Sequence, residues 1–355
     1  MKNLTKVFVV WLLAVSLALP LGSLQVYALQ TKGDEVSSLI KKLELGKPFH
    51  YENLTIVPIY YRQVSENKDY LTLDEAVKNG DVLITEVEGG RVPQVKVTNK
   101  SGHKIFLMSG EIITGARQNR LVGKDVLLGP YNKEVLVPVY CVEHGRWDEG
   151  SYEFGSEEMA APPMFRKSAA SGESQQVMWD SVAEYSMAMD VSSSTGNLGA
   201  TYSDSRAKAK VNKYVNALKD IPRLGNDAVG VAVAVGGKIV TIDIFSNGRL
   251  FSDLWPKLLN SYAMGAIADY DREDDNKITQ DEVKDILKQL YKLEYDRREG
   301  IALGEDLSAS TDEIASAGLS YKGSVIHLSA FPNKDGKKPS PIIEEGGRIP
   351  VINED

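Results

Sequence analysis

Two hydrophobic periods follow one another along the chain, and the change between them divides it. From Asp81 to Trp147, apolar and polar residues nearly alternate in short runs, among them DVLITEVEGG, PQVKVTN, HKIFLMSG, EIITG and KEVLVPVYCV, separated by Gly, Asn and Pro turns. Turn signals so closely spaced predict an antiparallel sandwich or a partly closed barrel. An earlier strand is expected over 53–61 (NLTIVPIYY), after a short amphipathic helix in DEVSSLIKKLELGK. Thr72 and Glu75 form a capping box, which starts a brief helix ended by Gly80. Beyond Gln175 the period lengthens. Met178, Val182, Tyr185 and Met189, then Ala207, Val211, Tyr214 and Leu218, mark one buried stripe on each of two helices. The loop joining them, VSSSTGNLGATYSD, is rich in small polar residues, so its ordering needs a partner.

Two stretches of the last third echo one another. AVGGKIVTIDIF (234–245) and SYKGSVIHLSAF (320–331) both read as hairpins on a Gly-containing tight turn, with Gly237 matching Gly323 and Phe245 matching Phe331. Paired in one sheet, they turn Val240, Ile242, Ile244, Ile326, Leu328 and Ala330 to the core. Thr241, Asp243, His327 and Ser329 then occupy the other face, as the expected lining of a groove. Residues 148–175 lose all periodicity and gather Gly, Ser and Pro. The expected organisation is α+β: a leader over 1–28, a β-rich part over 29–150, a flexible connection over 151–172, a helix-and-hairpin part over 173–331, and a polar tail over 332–355.

The leader adds a location. Lys2 and Lys6, an apolar run from Val7 to Leu19 and small residues before Leu29 make a secretory signal. Pro20, Gly22 and Ser23 interrupt the run before the ~20 apolar residues of a membrane span. A secreted or extracytoplasmic protein is therefore expected, with no stable membrane span once the leader is cut. The formal charge of −8 becomes more negative by two when both lysines leave with the leader, and no basic stripe is present to attract a nucleic acid. Cys141 is the single cysteine, which excludes an internal disulfide; its β-branched surroundings make it a small buried hydrophobe on a strand. His50, His103, His144 and His327 lie far apart and show no zinc spacing.

Within 252–297, two amphipathic helical patterns flank the acidic stretch YDREDDNKITQDEV. Helix, 12-residue loop, helix is the calcium-binding unit of an EF-hand. With Asp271 at position 1, Glu273 falls at 3, Asp275 at 5, Lys277 at 7 through its carbonyl, Thr279 at 9 and Glu282 at 12, so these residues are the expected Ca²⁺ ligands. Asn276 stands at the sharp turn, where Asn tolerates the left-handed region, and Ile278 supplies the apolar position 8. Glu273 departs from the usual Asp or Asn, and no partner loop is visible.

Two further motifs, SGEIITGARQNR (109–120) and CVEHGRW (141–147), stand out with YLTLDEAVKNGDVLITEV, VMWDSV, VGVAVAVGGKIVTIDIF, LFSDLWPKLLNSYA and LGEDL. Together they resemble the ARG-and-Rhodanese-Phosphatase-superfamily-associated protein domain, a bacterial family of unestablished activity, over roughly residues 50–331. The resemblance implies a link to nucleotide or ADP-ribose chemistry, and makes the acidic loop and the helix after it an insertion. Read from their side chains alone, Glu111, Arg117, Gln118, Asn119, Arg120, Glu143, Arg146 and Trp147 form a candidate ligand-binding set for a small anionic or nucleotide-like molecule. The same residues, buried and mutually bonded, serve equally to fasten strands. A hydrolase of a phosphate or nucleotide-sugar ester, with Glu111 or Glu143 as general base, is the catalytic alternative; a structural or interaction protein of the cell envelope is the third.

Overall fold

The computed structural model of the chain describes residues 34–61, 70–87, 93–147, 151–221, 228–269 and 277–333, all belonging to the unit Gly33–Asp355. The leader, most of the polar tail and the acidic residues Asp271, Glu273 and Asp275 lie outside them. Among the described residues, eight helices and 18 strands build three sheets, an α+β architecture.

The alternating stretch closes on itself. Strands Val135–Cys141, Gln94–Asn99, Val82–Glu86, Glu153–Ala160, Glu111–Gly115 and Arg120–Val122 form a six-stranded antiparallel barrel, the last pairing back onto the first. Every second residue of Val82–Glu86 and Gln94–Asn99 is buried, and Val82, Ile84, Val95 and Val97 meet Val137, Val139 and Phe154 in one core. The capping box forms as expected: the Thr72 hydroxyl accepts from the Glu75 N–H at 3.3 Å, and the Glu75 carboxylate accepts from the Thr72 N–H at 2.8 Å. The helix it starts, Leu73–Asn79, sends Leu73 and Ala76 into the barrel core.

Residues 151–172, expected as a flexible connection, instead supply the barrel strand Glu153–Ala160 and the helix Pro163–Ala170. A bulge between Ser156 and Met159, with Glu158 at φ +55°, breaks the alternation that would have revealed the strand. Pro163 opens the helix at a position where a missing N–H costs nothing.

The second large sheet has nine strands. Its order is Leu43–Leu45, Leu54–Tyr61, Ala228–Val235, Lys238–Phe245, Ser324–Pro332, Ile314–Tyr321, Glu305–Ser310 and Asp296–Glu299, with Phe49–Tyr51 also paired to Leu54–Tyr61. The two echoing hairpins are neighbours in it, joined through Ile242↔Ala330 and Ile244↔Leu328. Their loops, Gly236–Gly237 and Lys322–Gly323, have positive φ at both central positions, as type I′ turns require. Helix Gln280–Lys292 covers one face, pressing Val283, Leu287 and Leu290 against Val57, Ala232, Ile242 and Ala330. On the other face, helix Gly248–Ala268 packs Leu254, Leu258 and Tyr262 with Val231, Val233 and Phe245. The face expected to line a groove is therefore buried: Thr241, Asp243 and His327 are 0% exposed and Ser329 4%. Among the described residues, no helix is long and apolar enough to cross a membrane.

Candidate functional site

The turn Ser109–Gly110–Glu111 stands between two buried charge clusters and touches both. The Ser109 N–H donates to Asp125 at 2.7 Å, Gly110 (φ +92°) leaves room for the Arg166 stem, and Glu111 pairs with Lys257. A side chain at Gly110 would collide with Arg166, so the residue answers two constraints, backbone and space.

In the first cluster, the Arg166 guanidinium donates to both oxygens of Asp243, at 2.9 and 2.5 Å, and the Tyr262 hydroxyl donates to Asp243 at 2.6 Å. His327 lies between two carboxylates, with Nδ1 2.7 Å from Asp125 and Nε2 3.2 Å from Asp243, and stacks on Phe245 at 4.4 Å. Burial disfavours its charge, but Asp125 and then Asp243 overcome this and raise the imidazole pKa to about 9. Burial likewise opposes ionisation of Asp243, yet Arg166 and His327 hold its carboxyl well below the usual range. Two cations thus offset two anions. An imidazolium donating from both nitrogens has no lone pair to accept a proton, and with His327 and Asp243 both 0% exposed the cluster fastens the interior.

In the second cluster, Lys257 is paired with Glu111 and Asp74, and Ser156 donates to Asp74. Burial pushes the Glu111 carboxyl up to about 7, the Lys257 charge pulling it down and Asp74 adding to the rise. Burial also works against the ammonium, but Glu111 and Asp74 together hold Lys257 above its ordinary value. Glu111 is 1% exposed and its other oxygen accepts the Met108 N–H at 2.8 Å. It does not reach a cleft.

The expected ligand residues other than Glu111 separate into three places. Asn119 and Arg146 line a cavity of about 400 Å³ with Thr114, Glu157, Asn197 and Ser203. Glu143 stands directly behind: it accepts from Arg146 Nε at 2.9 Å, from the Asn119 N–H at 3.1 Å and from the Thr195 hydroxyl at 2.9 Å. Burial raises its pKa, but the donors from Arg146, Asn119 and Thr195 outweigh it and keep the carboxylate ionised. Gln118 and Arg120 point elsewhere, into the barrel wall. Arg120 is fully buried, donating to Gln118 Oε1 at 3.0 Å and lying 3.5 Å from Glu86. The Cys141 thiol, buried as expected, donates to the same Gln118 oxygen at 3.3 Å. Arg117 and Trp147 form the third place, on the surface. The Arg117 guanidinium lies 4.8 Å from the Trp147 ring and 5.7 Å from Tyr152, both rings about half exposed.

The small polar loop finds its partner here. Gly145 N–H donates to Thr195 O at 2.7 Å and Leu198 N–H to Val142 O at 2.9 Å, which docks the loop on the segment carrying Glu143 and Arg146. Asn197 and Ser203 reach the cavity in this way, and Glu157 from the bulged strand. Nothing in their spacing announced them; the loop's composition alone was a hint.

Of the expected calcium ligands, Asp271, Glu273 and Asp275 lie outside the described residues. Lys277 and Thr279 are exposed, and the Thr279 hydroxyl accepts from the Glu282 N–H at 3.4 Å while the Glu282 carboxylate accepts the Thr279 N–H at 2.7 Å. Among the described residues, no group of three or more His, Cys, Asp or Glu is placed to hold a metal ion.

Compared with known proteins, residues 42–331 match the family model described as ARG and Rhodanese-Phosphatase-superfamily-associated Protein domain. No curated protein and no solved structure matches the chain.

Proposed function

Because the chain belongs to the ARG-and-Rhodanese-Phosphatase-superfamily-associated protein domain family, whose name states no reaction, we propose from its own geometry that it is an exported binding module for a small polar ligand. One observation carries this reading: Asn119, Arg146, Asn197, Glu157 and Ser203, from four separate parts of the chain, converge on one cavity of about 400 Å³. The hydrolase alternative has weaker support, since Glu111 is sealed against Lys257 and Glu143 is held by Arg146, Asn119 and Thr195. Export rests on the leader pattern of residues 1–28.

Filling the cavity tests the reading. Ala200 lines it and is only partly buried, so Ala200→Trp is expected to leave the melting temperature within a few degrees of wild type. A thermal-shift screen against nucleotides, sugar phosphates and free sugars should yield a compound that stabilises the wild type and leaves Ala200→Trp unmoved. Equal stabilisation of both proteins would remove the cavity from consideration.

A second reading, calcium binding between Asp271 and Glu282, is supported by where the helices stop and start. Helix Gly248–Ala268 ends just before the acidic stretch, Ile278 is 3% exposed in the core, and Thr279 caps helix Gln280–Lys292 with Glu282 three residues inside it. Positions 8, 9 and 12 of the loop thereby sit where the helix-loop-helix register asks. Extracellular calcium sites work at ~10⁻⁴–10⁻³ M, and filling this one should raise the melting temperature of the wild type. Glu282→Gln preserves the capping box, which accepts Gln as well as Glu, but takes away the bidentate carboxylate. The variant should therefore fold normally and show no calcium shift; a wild-type-sized shift would discard the assignment.

A further inference from the structure

The cavity has a charge balance that bears on what enters it. Arg146, its one cation among the described residues, is already satisfied by the protein: Nε and Nη2 contact Glu143 at 2.9 and 2.8 Å, Nη2 also reaches Gly115 O and Asn119 Oδ1 at 3.1 Å, and Nη1 donates to Ala116 O at 2.8 Å. A guanidinium has five N–H groups, so a single one on Nη1 is left for a ligand, too few for a bidentate grip on a phosphate or carboxylate. Glu143, with a side chain 4% exposed and held ionised, cancels the Arg146 charge. Glu157 at the rim then leaves the surroundings with a formal excess of one negative charge.

What remains is a mixed set of neutral and acceptor groups. Asn197 Oδ1 is committed to the Gly199 N–H at 2.8 Å and to Asn119 Nδ2 at 3.2 Å, which fixes the amide orientation and leaves its Nδ2 without a partner among the described residues. Glu157 offers acceptors, and the Ser203 hydroxyl, which donates its proton to Gly199 O at 3.2 Å, accepts. Met159 and Ala200 supply apolar wall between them. A hydroxyl group donates and accepts at once, so a ring carrying several of them meets donors and acceptors in turn while its C–H face lies on the apolar wall. We propose that the cavity binds a neutral, hydroxyl-rich ligand, a sugar or polyol, in place of the anionic class suggested by the sequence. This rests on the cavity being the ligand site.

The full mature chain is titrated calorimetrically with neutral probes (galactose, N-acetylglucosamine, trehalose), anionic probes (glucose 6-phosphate, AMP) and a cationic probe (spermidine), each to about 20 mM, a range that captures millimolar affinities. At least one neutral sugar should bind the wild type, bind Asn197→Ala tenfold more weakly or worse, and fail to bind Ala200→Trp, with both variants melting near wild type in the absence of probe. Tighter binding of an anionic or cationic probe that Ala200→Trp abolishes would overturn the neutral-ligand inference and leave the cavity as the site. Binding of any probe that Ala200→Trp does not weaken would overturn the cavity reading itself. Failure of every neutral sugar to bind would refute the inference.

Discussion

Asp243→Ala is expected to lower the free energy of unfolding by about 3–5 kcal/mol, the largest effect of any single substitution considered for this chain. Asp243 is 0% exposed, and Arg166, Tyr262 and His327 all direct donors at it. Its removal leaves a guanidinium and an imidazolium in the interior with only Asp125 to offset them. The loss is thus mainly the penalty of stranded cations, not the net worth of the pair. Urea unfolding monitored by circular dichroism measures it directly. Asp190→Ala supplies the contrast: the Arg206–Asp190 pair is short, at 2.8 Å, but 66% and 89% exposed, and its loss should change stability by ~0–1 kcal/mol. If Asp243→Ala fell in that lower range, the buried network would have to be dismissed as a fastening.

Alkaline pH should loosen the same network. His327 has a folded pKa of about 9 against an ordinary 6.5, so protonation of the folded state contributes stability that is fully present below pH ~6.5 and drains away as pH rises through about 9. The difference amounts to roughly 3 kcal/mol. The groups facing the ring do not cancel this: Asp243 stays ionised throughout, and the Tyr262 hydroxyl is pushed well above its ordinary value, first by burial and then by the Asp243 charge. Glu111, raised to about 7 from 4.5, also loses stability with rising pH, but in the lower window between those values. Unfolding free energies measured from pH 5 to 10 should therefore show an alkaline decline in the wild type that is absent above pH 7 in His327→Gln. A parallel decline in both would assign the effect to other groups.

The legible parts of this protein are those in which cause and consequence are close in the chain. The Thr72–Glu75 and Thr279–Glu282 boxes span three residues, and both form. The stripes Met178–Val182–Tyr185 and Ala207–Val211–Tyr214–Leu218 are buried as their spacing required. Strand alternation announced a barrel-like sheet, and closure needed Arg120–Val122 to reach Val135–Cys141 and Glu153–Ala160 to bridge Val82–Glu86 and Glu111–Gly115. The bulged strand Glu153–Ala160 escaped notice because Glu157 and Glu158 are left unpaired between Ser156 and Met159, and this irregularity interrupts the pattern.

Charged residues were harder to place, because a side chain's type does not say who will neutralise it. Arg120 and Arg146 read alike as ligand-gripping cations; one is buried in the barrel wall beside Glu86, the other lines a cavity with its charge cancelled by Glu143. Arg166 and Asp125 lay in no motif, and Lys257 within LFSDLWPKLLNSYA carried no assigned role, yet they anchor the interior. Their partners lie 77, 202 and 146 residues away, as Arg166–Asp243, Asp125–His327 and Lys257–Glu111.

Taken alone, the sequence determined the family, the α+β class, the two helical stripes, the twin hairpins and the local caps, since each depends on periodicity or on neighbours within a turn. The tertiary structure decided which face of the hairpin sheet meets water, which carboxylates keep their oxygens free, and what charge the cavity presents. Those outcomes depend on burial and on counter-charges brought together by strand pairing, and electrostatic energy is set by distance in space, to which separation along the chain gives no guide.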